Sequence, residues 1–355
     1  VKGVDRLRGF EIELSSSAIE ALSEVERCKK HLSRCDGRCQ VEASNEPCDC
    51  KVCLKEQVAL ALKEKPECPG HPCWDPGKEK SGIFLAGVMM KSGLDMEGSF
   101  IDWRRTPRDN RYWDLKTDSS CGFEIATPPW TGKMVGEELG KGLAPLVTLE
   151  AAHPGWRLQD DRCGLHCTID VSDQGLRGVK QILLMAARHQ SALLGTQPKY
   201  RWNNHNCRKF GEAWLGTVNT PGFKRRVTYI QSAGQLREIV PEKYFLVNTK
   251  KFQDGEGLLE FRFGGAVIAA EKIEAYGVLI ECLVQAAIEH PVTVETSDRK
   301  KRLYKEVIEP FIKDQRVQKA WEGALWPALA DVSLPSDPKA PPKLAIKTRL
   351  RELGL

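Results

Sequence analysis

The chain has 355 residues, 53 of them Lys or Arg and 48 Asp or Glu, for a net charge of +5. The two signs are mixed along the chain, so composition argues against nucleic acid as a partner and leaves room for a small anionic ligand. No apolar run reaches the ~18–20 residues that a bilayer-crossing helix needs, and the charged start from Val1 to Arg8 does not resemble a secretory signal. The expectation is therefore a protein with no membrane partner in a reducing, cytosolic location.

Residues 9–14 read as a strand, followed by a helix from about Ala18 to Leu32. The segment from Cys35 to about Lys80 is rich in Cys, Pro and charge and looks inserted, with Lys55 to Lys65 as a short helix inside it. Strand patterns return at Ile83–Val88 and around Trp113–Ile125. A Gly-interrupted helical stretch covers Lys133–Ala152, Cys163–Val171 reads as a strand, and Gly175–Leu194 is strongly amphipathic. Trp202–Phe223 reads as a long loop with a helical piece. Tyr244–Asn248 and Leu258–Phe263 read as strands joined by a turn at Asp254-Gly255-Glu256-Gly257. Ala266–Glu289 is a long helix, and Arg302–Leu329 holds one or two more. Strands mixed with helices without strict alternation give an α+β class, with one mainly antiparallel sheet and helices on one face. The chain divides into the start of the main domain at 1–34, a Cys-rich insertion at 35–80, the body of the main domain at 81–330 and a Pro/Lys-rich tail at 331–355.

Successive strand residues point to opposite faces of a sheet. In Gly9-Phe10-Glu11-Ile12-Glu13-Leu14, Glu11 and Glu13 oppose Phe10, Ile12 and Leu14. Glu124 opposes Phe123 and Ile125. His166, Thr168 and Asp170 oppose Leu165, Cys167 and Ile169, and Glu260 with Arg262 opposes Leu259, Phe261 and Phe263. If these four strands are neighbours, one face collects Glu11, Glu13, Glu124, His166, Glu260 and Arg262. A half-exposed sheet also shows polar residues outward, but surface faces usually mix Lys with their Glu, and none is expected on these four strands. Carboxylates gathered on one face repel unless cations lie among them. Magnesium suits oxygen ligands and substrate phosphates, manganese is acceptable beside His166, and Arg262 would contact a phosphate or carboxylate in bidentate fashion.

Thirteen Cys are present, eight of them between Cys28 and Cys73. An odd total with this crowding fits a metal site better than a disulfide framework. Cys48-Asp49-Cys50-Lys51-Val52-Cys53 followed by Cys68-Pro69-Gly70-His71-Pro72-Cys73 is a paired-Cys zinc pattern. The favoured ligand set for one structural zinc is Cys50, Cys53, Cys68 and Cys73. A second ion on Cys35, Cys39 and Cys48, or free thiols, are the alternatives. Cys121, Cys163, Cys167 and Cys282 read as small buried residues. The Trp202–Arg208 stretch reads as a substrate-reading or, more often, a connecting loop. Gly264-Gly265 suits either close approach to a ligand or a strand-to-helix turn.

At these strands the sequence resembles the amidoligase family of the carboxylate–amine ligase superfamily, typified by glutamine synthetase and glutamate–cysteine ligase. Between about Gly9 and about Leu283 the matching pieces run in family order. They are Gly9-Phe10-Glu11-Ile12-Glu13, Trp113-Asp114-Leu115-Lys116-Thr117-Asp118-Ser119-Ser120, Gly122-Phe123-Glu124-Ile125-Ala126-Thr127-Pro128, Cys163-Gly164-Leu165-His166-Cys167-Thr168-Ile169-Asp170, Tyr244-Phe245-Leu246-Val247-Asn248 and Leu259-Glu260-Phe261-Arg262-Phe263. The resemblance implies a glutamine synthetase-like catalytic domain. It implies that Glu11 and Glu13 bind two different metal ions, that His166 and Glu260 complete the site holding the ATP phosphates, and that Arg262 stabilises the transferring phosphoryl group. Glu124, with Asp118 in support, resembles the acidic position serving the other metal and the ammonium. Two positions depart from the pattern: the family's His-x-His is His166-Cys167-Thr168 here, and Cys163 stands where a second Gly is usual. The implied partners are ATP and the carboxylate and amine of an amino acid, peptide or protein, and an oligomer is compatible. The alternatives are a phosphotransferase acting on a guanidino group and a non-catalytic, zinc-stapled binding module. The absence of a Gly-x-x-x-x-Gly-Lys-Ser/Thr loop means that phosphate would be held by cations rather than by a backbone cradle.

Overall fold

A computed structural model of the protein describes residues 6–15, 19, 76–90, 96–98, 113–118, 121–132, 134–152, 157–160, 162–202, 204–210, 220–289, 299–325 and 327–328. The strands are β1 (Arg8–Ser15), β2 (Met96–Gly98), β3 (Trp113–Asp118), β4 (Gly122–Ala126), β5 (Gly164–Asp170), β6 (Val247–Asn248) and β7 (Leu258–Gly265). The main helices are α1 (Pro76–Met90), α2 (Met134–Ala151), α3 (Leu176–Gly195), α4 (Thr220–Tyr229) and α5 (Ala270–Glu289). The strands form one seven-stranded sheet in the order β2-β3-β4-β1-β5-β7-β6. All pairings are antiparallel except β2 with β3 at the edge. The α+β class with a mainly antiparallel sheet holds.

The four strands whose alternation was read from the sequence are consecutive in space, as β4-β1-β5-β7. Their register aligns the two faces. Ile12 pairs with Ile125 on one side and Leu165 on the other, while Glu11 faces His166 and Glu13 faces Glu124. Because the side-chain period is two, this register puts every apolar member on one face and every ionisable member on the other. Phe10, Ile12, Leu14, Phe123, Ile125, Leu165, Cys167, Ile169, Leu259, Phe261 and Phe263 are buried in one continuous core. That core is closed by α5, which lies against β5 and touches α2 and α3. Gly277 of α5 has no side chain because a Cβ there would stand 2.7 Å from the Phe10 ring. A second tie is an ion pair: Arg8 of β1 reaches Glu281 of α5, and both side chains are fully buried.

Several sequence expectations are corrected. Ile83–Val88 is not a strand but part of α1, which packs on α2, β2 and β3. A short continuous apolar run carries no period that separates a buried strand from a buried helix. α1 also crosses the expected boundary at residue 80. The strand expected at Tyr244–Asn248 is regular only over Val247–Asn248, with Phe245 bridged to Arg208. The stretch after Arg299 is broken into short pieces, with π turns at Tyr304–Ile308 and Trp321–Leu325. The helices expected at Ala18–Leu32 and Lys55–Lys65, the zinc ligands Cys50, Cys53, Cys68 and Cys73, and the 331–355 tail lie outside the described residues, apart from Ile19. Among the described residues no helix is long and apolar enough to cross a membrane.

The first π turn is pinned to α3 by Glu306. This buried carboxylate accepts from Arg188 Nε and Nη2 at 2.7 Å each and lies 2.9 Å from His189 Nε2. Burial acts to raise its pKa, but the bonds from His189 and Arg188 outweigh it and hold the carboxyl at about 2, below its ordinary 4.5. A depressed carboxyl contributes stability that is complete above pH 4.5 and is lost as the pH falls toward 2. Replacing Glu306 by Gln is expected to cost about 3 kcal/mol at pH 7 and progressively less on acidification. Urea denaturation at pH 7 and pH 3 checks this, and an equal cost at both would contradict it.

Candidate functional site: an acidic sheet face

The polar face of the sheet carries its ionisable side chains close together and largely shielded. Glu13, His166, Glu260 and Arg262 are all buried, with Glu11 and Glu124 half-buried. The His166 ring sits among three carboxylates. Its Nδ1 is 3.4 Å from Glu11 Oε2 and 3.5 Å from Glu260 Oε1, and its Nε2 is 3.5 Å from Glu13 Oε1. Glu11, Glu124 and His166 each place a donor atom within 4.8 Å of the others, and so do Glu13, Asp118 and Cys121. The six residues read from strand alternation are thus brought together, with Asp118 beside them.

Fixed partners orient each group. Glu13 Oε2 accepts from the Gly164 N–H, so the carboxylate is anchored to β5. Glu260 is bonded to Arg262 Nη1, and its Oε2 accepts from Asn248 Nδ2 at 2.7 Å. The β5–β7 register shifts between Leu165 and Cys167, at the level of His166.

Two lysines enter the face, against expectation. Lys116 of β3 pairs directly with Glu124 across the hairpin, with its Nζ 3.7 Å from Glu124 and 3.6 Å from Asp114. Lys251 reaches to 3.8 Å from Glu11. The four-strand reading excluded Lys because β3 was not among those strands, and Lys251 comes from the helical turn Lys250–Gln253, where strand alternation has no say.

The electrostatics drive two neighbouring carboxyls apart. Burial acts to raise Glu11, but the bond to His166 and the charges of Lys251, His166 and Lys116 outweigh it and hold Glu11 well below the usual carboxylate range. Glu124 is pushed far upward, first by burial and then by the Glu11 charge, against the opposing pull of Lys116. Two carboxyls with opposite shifts on one face are suited to different roles, one as a fixed anion and one as a proton carrier.

Arg201 is a site residue that sequence reading missed. It ends the turn Lys199–Arg201, is almost fully buried, and donates from Nη2 to the Arg262 carbonyl at 2.5 Å. Its guanidinium lies over Gly164: a Cβ there would come within 3.1 Å of both Arg201 Nη atoms and of Glu13 Oε2. A glycine at 164 is what makes room for a second guanidinium beside Glu13. No periodicity marks Arg201. The only signal was its position next to the polar Trp202–Arg208 stretch, which proves to be a connection: Trp202 is buried with Nε1 bonded to the Gln197 carbonyl, and Asn204 caps the turn His205–Cys207.

Gly264-Gly265 is explained by packing, since side chains there would strike the Leu165 carbonyl and Pro198. A cavity of about 490 Å³ lies elsewhere, lined by Leu165, Tyr276, Ala320 and Leu325 among others, and includes none of the acidic-face carboxylates.

Comparison with known proteins gives no match: no protein family, no curated protein and no solved structure is significantly similar to the chain.

The raised Glu124 carboxyl has a direct consequence. A group whose folded pKa lies above its ordinary 4.5 takes up a proton on folding, so its contribution is intact below pH 4.5 and erodes as pH rises toward the folded value. With divalent cations removed, Glu124→Gln is expected to be more stable than the parent by at least about 1 kcal/mol at pH 7, and equal to it below pH 4.5. Thermal melts across that range in chelator check this. A destabilised variant at pH 7 would show that Glu124 is held by its ion pair with Lys116 instead.

Proposed function

We propose that the protein is an ATP-dependent ligase that joins a carboxylate to an amine on its acidic sheet face. The observation that carries this reading is the gathering of Glu11, Glu13, Glu124, His166 and Glu260 with Arg262 on four adjacent strands. The donor chemistry fits divalent cations, since carboxylates and one imidazole converge within 4.8 Å. Glu11, His166 and Glu260 would hold one magnesium or manganese ion, and Glu13 and Glu124 another. Such ions, when bound, neutralise phosphate charge and favour phosphoryl transfer. The resemblance of the strand motifs to amidoligases points the same way.

The chain's own groups account for the rest of the chemistry. A carboxylate does not react with an amine at neutral pH, because oxide is too poor a leaving group. In the proposed reaction a carboxylate oxygen attacks the γ-phosphorus and the bond to the β,γ-bridging oxygen breaks, releasing ADP and leaving an acyl phosphate. Arg262, with Arg201 behind it, would fix phosphate oxygens while charge spreads over them. The amine nitrogen then attacks the acyl carbon, the carbon–oxygen bond to phosphate breaks, and the products are an amide or isopeptide and phosphate. The amine arrives as ammonium and must give up a proton. A carboxylate of the face, Glu124 or Asp118, would bind it and take that proton.

One observation favours a second reading. Lys116, Lys251 and Arg262 already pair with Glu124, Glu11 and Glu260, as they would on a self-neutralised face that binds a partner without turnover.

The test is ADP release from ATP and magnesium with a pool of amino acids, peptides and small amines, beside Glu260→Gln and Arg262→Lys. Turnover that requires the pool and falls at least about 100-fold in each variant is the expected result. Mass analysis of the product separates an amide from a phosphoguanidine, and ATP turnover unchanged by Glu260→Gln would overturn the proposal.

A further inference from the structure

One end of the acidic face differs in chemistry from the rest. Cys121 lies in the tight turn between β3 and β4, just before Gly122, which adopts φ +126°. Cys163 immediately precedes β5. Both thiols are buried, at 2% and 0% exposure, and pack together with Ala266 away from the main core. Asp118 Oδ1 accepts from the Cys121 N–H at 3.2 Å and from its thiol at 3.4 Å. The Cys163 thiol points to Asp160 Oδ1 at 3.6 Å, and Asp160 is itself fixed by Ser15 at 2.7 Å and by Arg162. Glu13, anchored by the Gly164 N–H, borders the group, and a ligand atom from each of Glu13, Asp118 and Cys121 falls within 4.8 Å of the others.

We propose that Cys121, Cys163 and Asp118, next to Glu13 at the end of the acidic face, hold a thiophilic divalent cation of the zinc class. Thiolates with carboxylates at short range select zinc over magnesium, which demands oxygen ligands and keeps its waters. Both thiols are buried and Asp118 is half-buried, which suits a structural ion rather than one open to substrate. A disulfide is the competing use of two adjacent cysteines, and sheet geometry opposes it. β4 and β5 flank β1 on opposite sides, which sets their backbones about 10 Å apart. A disulfide needs its Cα atoms within about 7 Å, whereas sulfurs about 2.3 Å from a shared zinc ion tolerate the wider spacing. The Cys121 thiol lies against the Cys163 thiol and near the Glu13 and Asp118 carboxylates. A bound cation reverses the sign of that environment and turns the same carboxylates into ligands or orienting partners. Asp160, Ser15 and Arg162 form the outer shell that such sites use to hold their ligands in place. The inference does not rest on ATP turnover, because the site is defined by its own donors.

The test uses the full chain, loaded with zinc and, in a parallel sample, with cobalt(II) as a spectroscopic probe. The parent is compared with a Cys121→Ser/Cys163→Ser double variant and with Asp118→Asn, all of which keep Cys50, Cys53, Cys68 and Cys73. The double variant is expected to retain one zinc equivalent fewer than the parent after desalting and to lose part of the cobalt–thiolate absorption. Asp118→Asn keeps every thiol and is expected to weaken that same equivalent at least about 10-fold. It therefore decides the matter if the double variant fails to fold. Unchanged zinc stoichiometry and affinity with an unchanged cobalt spectrum would overturn the proposal, whatever the outcome of the ATP assay.

Discussion

Repulsion among carboxylates is the constraint that organises this molecule. Glu11, Glu13, Glu124 and Glu260 share one face of a sheet, with His166 Nδ1 or Nε2 within 3.5 Å of three of them. Two like charges about 4 Å apart repel by roughly 4 kcal/mol at an effective dielectric of about 20. That is comparable with the roughly 5–15 kcal/mol by which a domain is stable at all. The face tolerates the crowding because Lys116, Lys251, Arg262 and Arg201 surround it and because Glu124 is driven toward its neutral form. Each of these compensations is one that an incoming cation or phosphate would relieve or replace, which is why the arrangement is read as a binding site rather than a surface.

The scaffold supplies the rigidity that such crowding needs. β1 is central, hydrogen-bonded on both sides, and contributes two of the four carboxylates. Its other face is fixed by Phe10 against Gly277 and by the buried Arg8–Glu281 pair. A strand held from both edges and from below cannot turn its carboxylates apart, and a one-residue slip would exchange the charged and apolar faces outright.

Much of this was legible in the sequence, because a period of two is a strong constraint where one face is buried. Alternation assigned Glu11, Glu13, Glu124, His166, Glu260 and Arg262 to the polar faces of their strands, and the β4-β1-β5-β7 adjacency, which alternation left as a condition, brings them together. What escaped was what periodicity does not encode. Ile83–Val88 has apolar character without a period and is helical. Lys251 and Arg201 reach the site from helical turns, and Cys121 points toward Asp118 from a hairpin turn, where alternation no longer says which way a side chain faces. Lys116 was within reach of the same argument, since it stands opposite Glu124 on a strand whose pattern was recognised but whose faces were not assigned. The loop from Trp202 shows the opposite failure, polar in sequence yet spent on capping and bridging rather than on a ligand.

The central claim is that the acidic face is a divalent-cation site, and manganese binding tests it most directly. Titrating the protein with manganese(II) and following the free ion by electron paramagnetic resonance counts the bound equivalents, beside Glu11→Gln and His166→Ala. The account predicts saturable binding in the parent that weakens at least about 10-fold in both variants. Binding that is absent, or indifferent to Glu11 and His166, would contradict it and leave the face to its own basic side chains, Lys116, Lys251, Arg262 and Arg201 among them.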